Sequence, residues 1–78
     1  MKTVTYDGEK YSVGDSLIFK IYGGTEYIGT VKFGIYSDNE AYIDFQHLGF
    51  YVEYIHKFGG VERRTLPDII TMHIYKRL

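Results

Sequence analysis

Cysteine and tryptophan are absent from this chain, and proline occurs once. Without cysteine there is neither a disulfide framework nor a thiolate metal site. No stretch comes near the ~20 apolar residues of a membrane-spanning helix, and Met1–Tyr6 carries no apolar run of the signal-peptide kind. The expectation is a soluble, cytoplasmic protein without a membrane partner. No segment of ten or more residues keeps a 3.6-residue hydrophobic period, so little helix is expected.

Aromatic rings fill that space. Nine tyrosines and five phenylalanines occur in 78 residues, 45% of which are apolar and 24% charged. This is a globular composition, and the length suits one domain over residues 1–78, near the lower limit for a core without staples. The net charge of −1 is unevenly spread. Residues 36–55 hold Asp38, Glu40, Asp44 and Glu53 with no Lys or Arg, whereas residues 56–78 hold Lys57, Arg63, Arg64, Lys76 and Arg77 against Glu62 and Asp68. Either neighbouring strands pair these charges, or the surface has two faces that steer partners.

Glycine and Asx clusters cut the chain into short alternating segments. Asp7-Gly8 is a two-residue hairpin signal between Thr3–Tyr6 and Lys10–Ser12. Ser16–Tyr22 puts Leu17, Phe19 and Ile21 on one face. Glu26–Tyr36 is the longest strand, with Tyr27, Val31, Phe33 and Ile35 opposite Ile28, Thr30, Lys32 and Tyr36. Gly29 and Gly34 inside it signal a bulge or bend. Ala41–Gln46, Phe50–Phe58 and Val61–Thr65 follow as strands. Asp68–Thr71 reads as one helical turn after Pro67, and Met72–Arg77 as a closing strand. The expectation is all-β: a small SH3-like or OB-like barrel of five to six short antiparallel strands with at most one short helical turn.

No residue set reads as catalytic, and the chain is expected not to be an enzyme. No Gly-x-Ser-x-Gly elbow occurs, and Ser12, Ser16 and Ser37 all lie more than four residues from any histidine. Asp44 and His47, like Glu53 and His56, are three residues apart, so in a regular strand each pair points to opposite faces. No metal and no cofactor is expected. Gly23-Gly24 and Gly59-Gly60 precede strand-like residues and form no phosphate loop.

Binding remains. Tyrosine gives a large, rigid contact area and, with arginine, is enriched at interface hot spots. So many rings exceed what a small interior hides, and the expected contact residues are Tyr36, Tyr42, Tyr51, Tyr54, Arg63, Arg64 and Tyr75, with a protein partner or a second copy as cover. The alternative is a nucleic-acid-binding barrel. In it Tyr51 or Tyr54 stacks bases, while Arg63, Arg64, Lys76 and Arg77 hold phosphates.

Ile28-Gly29-Thr30-Val31-Lys32-Phe33-Gly34-Ile35-Tyr36, with His47-Leu48-Gly49-Phe50-Tyr51-Val52-Glu53-Tyr54, resembles the YopX-like proteins of bacteriophages and prophages. Arg64-Thr65-Leu66-Pro67-Asp68-Ile69-Ile70 is similar to the step that follows in them. The resemblance spans roughly residues 14–75. It implies a β-rich, non-catalytic phage accessory protein acting in the cytoplasm of the bacterial host. It implies a protein-binding module that engages a host or phage protein and inhibits a host protein or defence system.

Overall fold

The computed structural model describes residues 2–21, 24–37, 46–72 and 75–77, with the backbone alone of Met72, Tyr75 and Lys76. Seven strands and one helix follow in order among them: β1 (Thr3–Tyr6), β2 (Glu9–Ser12), β3 (Ser16–Lys20), β4 (Glu26–Ser37), β5 (Gln46–Ile55), β6 (Val61–Thr65), α1 (Leu66–Met72) and β7 (Tyr75–Arg77). The chain is mostly β, in two antiparallel sheets with one short helix. Seven strands are described where five to six were expected, and the β1–β2 hairpin forms a sheet of its own. No helix among the described residues is long and apolar enough to cross a membrane.

The hairpin follows from its turn residues. Asp7 and Gly8 take φ of 48° and 79°, the left-handed pair that a two-residue turn needs and that Asp-Gly tolerates best. The larger sheet has the order β6-β5-β4-β3-β7. Its backbone is a long β4–β5 hairpin in unbroken register from Gly29 opposite Tyr54 to Ser37 opposite Gln46. β5 runs straight through Gly49, so Gln46 belongs to the same strand as Phe50. The expected separate strand at Ala41–Gln46 otherwise lies outside the described residues.

An unbroken register leaves no room for a bulge at Gly29 or Gly34, one of the two readings these glycines offered. Gly29 answers to packing. A Cβ there would overlap Val52 Cγ1 and stand 2.9 Å from Phe19 Cε1, because both side chains cross over it. The inner face carries Leu17, Phe19, Tyr27, Val31, Val52 and Tyr54. Phe19 meets Tyr54 edge-on at 5.1 Å between ring centroids, and Tyr27 lies 5.1 Å from Tyr54. Tyr11 of β2 and Leu66 and Ile69 of α1 close this face from above. Each large side chain so buried contributes about 1.5–3 kcal/mol.

The helix runs for seven residues, longer than the single expected turn. Thr65 caps it: its hydroxyl oxygen accepts the Asp68 backbone N–H at 3.2 Å. Pro67 falls in the first helical turn, where its missing N–H costs nothing, and so lies outside the ladder.

Candidate interaction surface

The inner face of the sheet is covered, and the outer face is not. Alternation sends every second residue outward, and the registers group those residues into rows. Ile18 stands opposite Ile28, and Ile55 opposite Val61. Thr30 stands opposite Glu53, and Glu53 opposite Arg63. Lys32 faces Tyr51, which in turn faces Thr65, and Tyr36 faces His47.

The first row is aliphatic and open to solvent: Ile28 is 63% exposed and Ile55 68%, with Val61 exposed beside them. Together with Thr30 and Glu53 they line a shallow depression across β4, β5 and β6. Its neighbour is a charged ladder, in which Glu53 accepts from Lys32 Nζ at 2.8 Å and from Arg63 Nε at 2.9 Å. The Lys32 hydrogen bond, aided by Arg63, holds the Glu53 carboxyl below its ordinary range, while burial opposes them. The same contact raises Lys32. One carboxylate between two cations leaves this strip net positive.

The rings behave otherwise than expected. Tyr54, 3% exposed, belongs to the core, where burial raises its phenol and its hydroxyl accepts Arg64 Nε at 3.0 Å. Tyr36, 6% exposed, is buried outside the core cluster: its ring stacks on Tyr51 at 4.4 Å and packs against His47 at 5.3 Å. Neither is the solvent-facing contact expected of it. A cross-strand aromatic neighbour hides a phenol as well as an interior does. Tyr51 is half-buried under that stack. Tyr42 lies outside the described residues, as does Tyr22. Tyr75 pairs with Phe19 through the β7 backbone.

Arg63 and Arg64 are adjacent in a strand and so take opposite faces. Arg63 joins Glu53 on the outer face. Arg64 turns inward to Tyr54, with Asp68 3.8 Å from its Nη1. Arg77 reaches the other way and ties β7 to the N-terminal region, 2.8 Å from Asp15 and 3.4 Å from Glu9. Among the described side chains, Arg63, Arg64 and Arg77 therefore point to three different places and form no common grip.

A second feature lies where the β3–β4 and β5–β6 connections meet. A cleft of about 320 Å³ is lined by Ile21, Gly24, Thr25, Tyr27, His56, Lys57, Glu62 and Arg64. The His56 ring stacks on Tyr27 at 5.9 Å and touches Phe58 at 5.2 Å. His56 Nδ1 accepts the Phe58 backbone N–H at 3.3 Å, which leaves Nε2 to face Glu62 at 3.8 Å. Sequence reading passed over this cleft, since its residues come from two separate turns. Among the described residues no three His, Asp or Glu side chains gather to hold a metal ion.

Compared with protein-family models, with curated proteins and with solved structures, the chain matches none.

Proposed function

We propose that the protein is a non-catalytic binding module and that the outer face of its five-stranded sheet receives a protein partner. The observation that carries this is the exposed row Ile28, Ile55 and Val61 beside the Lys32–Glu53–Arg63 ladder. Large aliphatic side chains grouped on an open face, rimmed by charge, are the usual composition of a contact surface. The anchors are aliphatic, and Tyr51 stands in the row beyond the ladder, stacked on Tyr36.

The resemblance to YopX-like proteins supports a phage or prophage setting in the bacterial cytoplasm. It makes the partner a host or phage protein whose activity is restrained by occupation. A second copy seated on the same face is the self-association version of this reading. The small-barrel reading, SH3-like in outline, draws support from β7 returning to pair with β3.

The test uses the double variant Ile28→Asp plus Ile55→Asp. Both side chains are exposed, so no core contact is lost, and each change costs about 1 kcal/mol in strand preference and cross-strand pairing. A tagged protein captures its partner from nuclease-treated host lysate, and the affinity for that identified partner is then measured. Loss of two anchors lowers it by about tenfold or more. A folded double variant that binds its partner as tightly as the parent refutes the assignment.

A further inference from the structure

The five-stranded sheet ends in β6, and no described strand pairs with the outer edge of β6. We infer that this edge takes up an extended segment of a protein partner as an added antiparallel strand, one that sets a carboxylate opposite Arg63 and an apolar side chain opposite Val61.

Hydrogen-bond phase decides what the edge offers. The His56 backbone N–H donates to the Gly60 carbonyl oxygen at 2.9 Å. These two residues continue the β5–β6 register one step beyond Ile55 opposite Val61. They form a hydrogen-bonded pair, and the pairs alternate from there. Glu62 and Arg64 therefore turn their backbone groups toward β5, whereas Val61, Arg63 and Thr65 turn theirs to the outer edge. None of the five β6 residues is buried, and Val61 is 46% exposed. The opposite end of the sheet differs, because Arg77 of β7 reaches across to Glu9 and Asp15.

Side-chain charge selects the occupant. A second copy that paired through its own β6 would need the two-fold axis on a residue, so that the hydrogen-bond phases match. An axis on Glu62, Arg63 or Arg64 sets like charges directly opposite one another, which destabilises a sheet. An axis on Val61 or Thr65 leaves much of the strand unpaired. The edge thus resists its own kind, as exposed edges commonly do, and suits a strand with an acid at its centre. β5 already displays that complement on the other edge of β6, with Ile55 opposite Val61 and Glu53 opposite Arg63. An incoming strand that repeats the pattern extends the aliphatic row. Its carboxylate meets a guanidinium able to donate in several directions. Main-chain hydrogen bonds then supply affinity and alternate side chains supply specificity.

The experiment titrates the isotope-labelled chain with the end-blocked peptide Thr-Thr-Glu-Thr-Ile-Thr and follows amide shifts and hydrogen exchange. Saturable shifts along β6 are expected, with exchange slowed at Val61 and Thr65 and unchanged at Glu62 and Arg64. Replacing the peptide's glutamate by lysine is expected to weaken binding about fivefold, and Arg63→Gln to bring the two peptides level. N-methylation at the peptide's first, third and fifth residues, whose N–H groups face β6, is expected to abolish binding. N-methylation at the second and fourth is expected to leave it intact. The inference is overturned if no β6 amide moves at millimolar peptide, if the glutamate and lysine peptides bind alike, or if the two N-methylated forms bind equally. Failure here leaves the outer-face assignment standing, since that test reads a captured partner and this one a defined peptide.

Discussion

Gly29→Ala tests the packing that shapes the whole sheet. Gly29 lies mid-sheet, opposite Leu17 on one side and Tyr54 on the other. The added methyl would overlap Val52 Cγ1, crowd Phe19 Cε1 at 2.9 Å and approach the Glu53 carbonyl oxygen at 3.3 Å. Val52 and Phe19 are fully buried, and Phe19 is held by Tyr27 and Tyr54, so neither swings away freely. Overpacking of this kind costs about 1–3 kcal/mol. For a domain of this size it lowers Tm by on the order of 10 °C. Gly49→Ala is the control: a Cβ there meets nothing within 4 Å and its backbone is not left-handed. It should move stability by no more than about 0.5 kcal/mol. Thermal unfolding followed by circular dichroism reads both. A Gly29→Ala chain as stable as the Gly49→Ala control would show that the Phe19 and Val52 side chains do not cross that glycine.

Ile69→Ala removes a fully buried side chain with which α1 closes the core. It should cost about 2–5 kcal/mol by urea unfolding, and a loss under 1 kcal/mol would mean that the helix does not close the core. Glu53→Gln breaks the outer ladder. Folding lowers the Glu53 pKa, so its stabilisation is complete above the unfolded value of about 4.3 and fades as pH falls through the folded one. The parent should therefore melt above the variant at pH 7, by a small margin because the ladder is half-exposed. The two melting temperatures should converge well below pH 4, and a gap that persists at pH 2 would rule out the ionised ladder as its source.

Much of the fold was legible because its signals are local. Asp7-Gly8 announced a type of turn, and the alternation in Leu17 and Phe19 announced a face. Pro67 marked where the ladder must stop. The opposite directions of Arg63 and Arg64 were also implicit in strand alternation, which already separates neighbours by the thickness of a sheet. The bulge reading of Gly29 failed, since a bulge and a close approach leave the same residue behind. Tyr36 was misread too. Its neighbour Tyr51 lies fifteen residues on, and nothing short of the β4–β5 register brings the rings together.

The amino-acid order settled the alternation of faces in β3, the first turn and the scarcity of helix, because these depend on each residue's own torsions and on side-chain period. Which face of the sheet was covered, which tyrosines sank from view and which isoleucines were left in water depended on pairings between distant segments. Burial is a property of neighbours. The helix and hairpin close one side of the larger sheet alone, and that placement left an aliphatic row on the other.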